Sequence, residues 1–271
     1  MKYFFVPVDF SSNAQVALRY AGHLANAFGG VEIKAHHQME VADFQDEEKR
    51  EATQKRLNDF VAYSLSKIEG GDKIPFSSTL SSGSKLTELI KTEAFQEADL
   101  IVMGTKGASG LLKELRGSNT YAIVKESNKP VMAVPGRASF YPLKHILYCS
   151  DFEQLDSFSG LELVKKLAMR FDAEVRIAHV KIAHGKSSHE HSFESQRQAK
   201  FFEPEVKNAF KIIRHKSIIG GIQYYIDLKR DNQLIVMVKR ERGMLEELFM
   251  TNHTREMVFH TQLPLLVINE K

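Results

Sequence analysis

Glycines follow an apolar run near the middle of the chain at a spacing suited to holding phosphate groups. Gly104, Gly107 and the pair Gly117-Ser118 fit the pattern G-x2-G-x9-G-S. Glycine has no Cβ, so its backbone can approach an anion closely, and a helix that begins after such a loop presents free N–H groups. The spacing matches neither the dinucleotide motif G-x-G-x-x-G nor the P-loop G-x4-G-K-[S/T]. The pattern predicts an anion site of another kind; the alternative is an ordinary glycine-rich turn.

Acidic and histidine residues offer two further kinds of chemistry. Asp9 and Asp151 each follow an apolar run and could act as general bases, but neither has the Ser/His/Asp or Cys/His arrangement that nucleophilic catalysis needs. A transition metal could be ligated by His184, His189 and His191, although a surface loop is the simpler interpretation of this Ser- and Lys-containing stretch. We therefore predict neither a catalytic residue nor a metal ligand.

Short apolar runs alternate with helical patterns and would bring the candidate residues together. In the first half, Tyr3 to Val8, Leu100 to Met103 and Val131 to Val134 predict buried strands, and the segments between strands have helical spacing. One of these helices is expected to begin at Ser84. The order β-α-β-α-β-α-β-α-β predicts an α/β fold with a parallel sheet that helices cover on both faces.

The chain contains an internal duplication. Gln233 to Met237 repeats Asp99 to Met103, and Pro264 to Ile268 repeats Pro130 to Val134, both at an offset of 134 positions (237 − 103 and 264 − 130). This repeat predicts two domains, which we place at residues 1–138 and 143–271.

The second copy has lost the glycine pattern. At the same offset, its residues are Val238, Glu241 and Thr251-Asn252. Because the fold tolerates this loss, the glycines of the first copy are better explained by a ligand than by the fold. Glu241 also adds negative charge where phosphates would lie. We therefore predict one phosphate site, in the first domain, and a degenerate motif in the second.

Composition narrows the class of protein. The 271 residues, 43% of them hydrophobic, can form two ordinary cores. With a net charge of +3 and no basic block interleaved with aromatic residues, nucleic acid is not an expected partner. No apolar run is long enough for a signal peptide or for a membrane span of about 18 residues. Cys149, the single cysteine, is interpreted as an inert core thiol. We expect a cytoplasmic protein that does not bind a membrane.

The chain resembles universal stress proteins of the tandem, two-domain type in its internal repeat, its five-stranded parallel order, its glycine pattern and the V-P-V-D-F-S segment from Val6 to Ser11. The resemblance covers essentially the whole chain, and the glycine pattern is similar to that of the ATP-binding branch. It implies two tandem Rossmann-like domains of the adenine nucleotide alpha hydrolase-like type, each a five-stranded parallel sheet of order 3-2-1-4-5. It also implies a ligand over the carboxyl ends of strands one and four.

The resemblance implies which residues of the first domain bind the nucleotide. Asp9 would contact the adenosine part. His37 stands where a main-chain group recognises the adenine edge, although the family usually has a small aliphatic residue there. The full implied set is Pro7, Val8, Asp9, His37, Met103, Gly104, Gly107, Gly117, Ser118, Asn119 and Thr120. The implied ligand is ATP, ADP or AMP, with or without Mg²⁺.

The resemblance also implies a role in the stress response. We expect a nucleotide-dependent sensor or signalling protein, in which occupancy orders the loop at 104–117 and changes a surface that an unknown protein partner reads. Its enzymatic activity is expected to be weak ATP hydrolysis at most. Two alternatives stay open, a slow nucleotide hydrolase and a nucleotide-free scaffold for protein interactions. The two domains are expected to pack as an intrachain pseudo-dimer, with a homodimer as a further option.

Overall fold

Two compact units make up the chain, Met1–Phe140 and Tyr141–Lys271. The computed structural model describes residues 1–105, 119–152, 155, 157–182, 190–239 and 261–269. Several residues singled out from the sequence lie outside this part of the chain, namely Gly107, Gly117, Ser118, His184, His189, Glu241, Thr251 and Asn252.

The first unit alternates strands and helices. Its strands are β1 (Tyr3–Pro7), β2 (Glu32–Met39), β3 (Phe76–Ser82), β4 (Leu100–Thr105) and β5 (Val131–Pro135). Its α-helices, within the described residues, are α1 (Ser12–Phe28), α2 (Val41–Gln45), α3 (Glu47–Leu65), α4 (Glu93–Gln96) and α5 (Asn119–Glu126). Two short 3₁₀ helices lie at Gly71–Lys73 and Leu86–Lys91.

The strands of the first unit form a parallel sheet in the order β3-β2-β1-β4-β5. Every residue of β1 and β5 is buried, which requires helices on both faces of the sheet. β3 is polar and half-exposed because it is an edge strand of this order, with β2 on one side. The predicted fold class, a parallel α/β sheet of order 3-2-1-4-5, is confirmed.

The start of α1 is fixed by a side-chain cap directly after β1. The Ser11 hydroxyl oxygen accepts a hydrogen bond from the Ala14 N–H at 3.2 Å. Such a cap stabilises a helix by about 1 kcal/mol. The helix ends at Gly29, whose φ of 68° lies in the left-handed region that glycine tolerates. Because Leu18 and Leu24 are fully buried, α1 lies against the core with its first turn at the carboxyl end of β1.

The prediction of one continuous helix beginning at Ser84 was wrong, both in where the helix begins and in its being unbroken. The chain forms the 3₁₀ helix Leu86–Lys91 and only then α4, whose cap is Thr92. The break has a physical reason. Leu89 and Phe95 are both fully buried, but residues six positions apart lie on different faces of one continuous α-helix.

The second unit repeats this architecture. Its strands are β6 (His145–Cys149), β7 (Glu174–Ile182), β8 (Asn208–His215), β9 (Leu234–Lys239) and β10 (Leu265–Asn269). Its α-helices, within the described residues, are α6 (Leu161–Phe171), α7 (Glu190–Phe202) and α8 (Ile218–Leu228). The strand order is β8-β7-β6-β9-β10, again 3-2-1-4-5.

Two strand pairings have the same register in the two units, so the duplication seen in the sequence is also present in the structure. Tyr3 pairs with Glu32, and His145 pairs with Glu174, so both first-to-second strand pairings join residues 29 positions apart (32 − 3 and 174 − 145). The pairings of the fourth and fifth strands also agree, with 30 positions in each unit (131 − 101 and 265 − 235). The two units therefore align residue by residue at these four strands.

Arg176 joins β7 to the loop before β9 at the amino end of the second sheet. Its Nη1 and Nη2 donate to the two carboxylate oxygens of Asp231 at 2.6 and 2.9 Å, and its Nε donates to Glu174 at 3.1 Å. The Arg176 side chain is largely buried, whereas that of Asp231 is half-exposed. The hydrogen bond from Arg176 lowers the pKa of Asp231 to about 2. A bidentate interaction of this kind is stronger than a single exposed ion pair.

We expect Asp231→Asn to destabilise the second unit by about 1–2 kcal/mol, a figure that allows for solvent screening of the exposed carboxylate. Because the native pKa of Asp231 is lower than the unfolded one, its carboxylate stabilises the fold above about pH 4, and this contribution disappears as the pH falls toward 2. Urea unfolding at several pH values measures both effects. Asp43→Asn, which breaks the exposed Lys49–Asp43 pair, is the control; equal losses in the two variants would contradict the prediction.

Candidate functional site

Polar side chains of the first unit gather where β1, β2 and β4 end. Phe5 pairs with Ile101 in the parallel β1–β4 register. Continuing this register brings Asp9 level with Thr105, the last residue of β4. The chain reverses its direction of sheet growth at β1, so this edge is the topological switch point, where open α/β sheets bind their ligands.

Asp9 uses one of its two carboxylate oxygens to hold the turn into α1. Its Oδ1 accepts hydrogen bonds from the Ser11 N–H at 3.0 Å and from the Ser11 hydroxyl at 2.5 Å. Asp9 is exposed, and within the described residues its Oδ2 makes no hydrogen bond. The second oxygen is therefore available to accept a hydrogen bond from a ligand.

His37 closes the same turn from the neighbouring strand. Its Nδ1 lies 2.7 Å from the carbonyl oxygen of Val8. A carbonyl oxygen can only accept, so Nδ1 carries the proton in this contact. The ring of Phe10 lies 4.6 Å from that of His37, and Phe10 has a φ of 60°, which is unusual for a residue with a side chain. The His37 side chain thus supports a strained turn, a role that the sequence did not predict.

Phe10 also contacts α3. The guanidinium carbon of Arg56 lies 4.1 Å from the centre of the Phe10 ring, and the Phe60 ring lies 5.5 Å away edge-on. Arg56 is exposed on α3, so it places a positive charge beside this edge of the sheet. Neither Phe10 nor Arg56 was among the predicted site residues. The signals that could have identified them are the aromatic residue directly after Asp9 and the cation on the long helix α3.

Gly104 has a packing role that the sequence argument missed. A Cβ on Gly104 would lie 2.4 Å from the backbone oxygen of Asn13, and a Cβ on Gly136 would lie 2.1 Å from the Asn13 side-chain oxygen. The first turn of α1 therefore sits directly on the ends of β4 and β5. This close approach is a reason for glycine at position 104 that does not require a ligand.

Two threonines mark the end of β4 and the start of α5. The Thr120 hydroxyl donates to the Gly104 carbonyl at 2.9 Å and ties α5 to β4. The Thr105 hydroxyl is buried, yet it has no hydrogen-bond partner among the described residues. A buried hydroxyl without a partner costs about 1–3 kcal/mol, so native proteins usually satisfy it or keep it for a function. Thr105 was absent from the predicted set.

The remaining predicted residues fall into three groups. Pro7, Val8 and Met103 are buried at the strand ends and form the floor of the edge. Asn119 is exposed at the first position of α5. The three others, Gly107, Gly117 and Ser118, lie outside the described residues. The structure thus brings Asp9, His37, Gly104 and Thr120 to one edge of the sheet.

The second unit repeats the histidine-supported turn. His179 Nδ1 lies 3.0 Å from the carbonyl oxygen of Ser150, and the rings of His179 and Phe152 stack at 4.8 Å. Phe152 has a φ of 58°, close to the 60° of Phe10. All three residues lie 142 positions after their counterparts (150 − 8, 152 − 10 and 179 − 37). The turn therefore belongs to the fold of both units.

His36 and Cys149 are packed residues. His36 Nδ1 and Nε2 each lie 2.8 Å from a hydroxyl on β3, those of Thr79 and Ser81. Burial, together with the neighbouring His37, lowers the pKa of His36 to about 4. Burial raises the pKa of the Cys149 thiol to about 12, so the reactive thiolate is scarce at neutral pH.

Two kinds of feature are absent from the described ranges. No group of three His, Cys, Asp or Glu side chains in them has the geometry to hold a metal ion. No helix in them combines the length and apolar character needed to cross a membrane.

These features define a class of protein: a doubly wound parallel α/β unit, present twice, with its polar groups at the carboxyl ends of the strands. Residues 1–135 match the model of the universal stress protein family. Through this first unit the chain belongs to the universal stress protein family.

Individual relatives agree with this assignment. Universal stress protein MJ0577 of Methanocaldococcus jannaschii is 27% identical over 154 residues, covering 49% of this chain and 94% of the relative. A universal stress protein from Archaeoglobus fulgidus has the same fold, with a TM-score of 0.76 at 19% identity over 99% of this chain and 98% of that one. A functionally unknown protein from Pseudomonas aeruginosa superposes with a TM-score of 0.62 at 11% identity over 100% and 93% of the two chains. The second unit thus shares the fold as well.

His36 makes the stability of the first unit depend on pH. Between about pH 6.5 and pH 4 the unfolded chain takes up a proton at this residue and the native chain does not, so stability falls as the solution is acidified. We expect a loss of up to about 3 kcal/mol across this range. Urea unfolding of the wild type and His36→Gln at pH 7 and near pH 4.5 measures it. The variant should lose distinctly less stability than the wild type, and equal losses would refute this role for His36.

Proposed function

We propose that the first unit binds ATP or a related adenine nucleotide at the carboxyl edge of β1 and β4, and that the protein acts as a nucleotide-dependent sensor in the stress response. Three things support this proposal. The first unit belongs to the universal stress protein family. The sequence pattern of Gly104, Gly107 and Gly117-Ser118 suits phosphate. The edge of the sheet carries polar groups with free hydrogen-bonding capacity.

The observation that carries the proposal most directly is the Thr105 hydroxyl. It is buried at the end of β4, level with Asp9, and has no partner among the described residues. A ligand in the crevice between β1 and β4 would give this hydroxyl a hydrogen bond and remove the cost of leaving it unpaired. The residues present therefore fit a polar ligand at this edge.

Asp9 is the residue we assign to the sugar of the nucleotide. Its Oδ2 can accept a hydrogen bond from a ribose hydroxyl while its Oδ1 stays bound to Ser11. Buried Val8 and Met103 would form the apolar floor beneath the adenosine part. The turn that places Asp9 is held by His37, which we assign a positioning role rather than contact with the adenine.

The phosphate end is assigned to the glycine pattern and the start of α5. Thr120 ties the first turn of α5 to the Gly104 carbonyl and so fixes the position of that helix relative to β4. Exposed Asn119 stands at the helix N-terminus, where phosphate oxygens are favoured. Nucleotide occupancy would then be the signal that a partner protein reads.

Calorimetric titration of ATP, with and without Mg²⁺, into the intact chain tests the proposal. We expect one saturable component of about one equivalent that is lost in Gly117→Glu, whose side chain would occupy the phosphate site. Asp9→Asn keeps an acceptor oxygen for Ser11 but loses the charged oxygen for the ligand, so we expect binding at least about tenfold weaker. Thr105→Val should weaken binding without lowering the stability of the free protein.

Asp151→Asn is the matched control, because Asp151 is the counterpart of Asp9 in the second unit. It should leave this component of ATP binding unchanged. The proposal fails if the wild type binds no adenine nucleotide, or if Gly117→Glu and Asp9→Asn bind as the wild type does. Turnover of ATP that Asp9→Ala abolishes would favour a nucleotide hydrolase instead.

A further inference from the structure

A cavity of about 600 Å³ opens in the second unit at the carboxyl ends of β7 and β8. The described residues that line it are all basic or histidine: Lys181, Arg214, His215 and Lys216. Its volume lies in the range of about 300–1,000 Å³ that small-molecule sites occupy. The cavity lies at the same edge of the sheet as the ligand crevice of an open α/β fold, but two strand pairs further out.

The positive charge of this cavity is not neutralised by the described part of the chain. Lys181, Arg214 and Lys216 form no ion pair with any carboxylate there. Lys181 and Arg214 are also direct partners in the β7–β8 register. Like charges opposite each other destabilise a strand pair, so the protein carries an electrostatic cost that a bound anion would relieve.

His215 is held in place at the cavity wall. Its Nδ1 lies 3.2 Å from the Ser217 backbone nitrogen and 3.0 Å from the Ser217 carbonyl oxygen, so it either accepts a hydrogen bond from the first or donates one to the second. Gly220 is packed so closely against the ring that an added Cβ would lie 2.3 Å from His215 Cε1. The Nε2 of His215 makes no hydrogen bond to the described residues. The ring is therefore fixed and leaves one nitrogen for a ligand.

The first unit lacks this charge at the equivalent place. His37 and His179 are equivalent, so Met39 is the counterpart of Lys181. Met39 pairs with Ser82 as Lys181 pairs with Arg214, and the next two residues are Gly83 and Ser84 where the second unit has His215 and Lys216. The duplication shows that the fold does not need basic residues here, so they are specific to the second unit.

We propose that this cavity is a second anion site, which binds a chain of phosphates. Several adjacent negative charges match Lys181, Arg214 and Lys216, and the planar guanidinium of Arg214 can donate two parallel hydrogen bonds to one phosphate. The site does not depend on the glycine pattern, which the second unit lacks. The proposal for this site can therefore be tested independently of the nucleotide site proposed for the first unit.

Calorimetric titration of inorganic tripolyphosphate into the intact chain tests this site. We expect saturable binding that weakens as the NaCl concentration rises. The double variant Arg214→Gln/Lys216→Gln removes two exposed charges and should weaken it at least about tenfold. The control Lys229→Gln/Arg230→Gln removes one lysine and one arginine charge from exposed positions at the end of α8, and should bind as the wild type does.

Gly117→Glu separates the two sites. Tripolyphosphate binding that persists in Gly117→Glu and is lost in Arg214→Gln/Lys216→Gln supports the second-unit site, whatever the outcome for ATP in the first unit. Three results would overturn it: no saturable binding, equal weakening in the two double variants, or binding that is lost in Gly117→Glu and kept in Arg214→Gln/Lys216→Gln.

The source of the phosphate chain follows from a second titration in the Gly117→Glu background. ATP binding more tightly than tripolyphosphate, and sensitive to Arg214→Gln/Lys216→Gln, would identify a nucleotide as the ligand. Tripolyphosphate binding more tightly than ATP would identify a free oligophosphate. Both rankings support a phosphate-chain site, and they differ in what the cavity recognises beyond the charge.

Discussion

Strands that are buried on both faces can present polar groups only at their ends, and this constraint organises both units. All residues of β1, β5 and β10 are buried, and most of those in β4 and β9 are as well. Chemistry is therefore confined to the carboxyl-terminal residues of the strands and to those just beyond them. In the first unit these are Asp9, His37 and Thr105, and in the second unit the basic residues Lys181 and Arg214. Because all strands are parallel, the carboxyl ends of each unit meet at one edge.

The duplication separates what the fold needs from what each unit does. Both units keep a phenylalanine in the left-handed region, at a cost of about 1–2 kcal/mol, and in both a histidine contacts its ring and bonds to a carbonyl oxygen two residues before it. This turn is common architecture. Two features are not shared: the glycine pattern belongs to the first unit, and the basic cavity to the second. Since one fold carries both, the difference points to two ligands or to two parts of one regulatory function.

The sequence was sufficient for the architecture because buried strands are written as apolar runs and the 134-position repeat aligned the fourth and fifth strands of the two halves. The sequence was insufficient for contacts between residues that lie on different strands or helices. The bond from His37 to the Val8 carbonyl joins residues 29 positions apart, and no local spacing signals it. β8 has no continuous apolar run that would predict it, because this edge strand mixes exposed apolar and charged residues. Gly104 looked like a ligand residue, since its contact with Asn13 appears only after α1 has packed on β4.

A crystal structure of the chain grown with ATP would show whether the carboxyl edge of the first unit holds the nucleotide. We expect electron density between β1 and β4, with a ribose hydroxyl bonded to Asp9 Oδ2, a partner for the Thr105 hydroxyl, and the His37–Val8 contact unchanged. Saturating nucleotide that leaves this edge empty, or that binds the first unit elsewhere with Asp9 and Thr105 uncontacted, would contradict it.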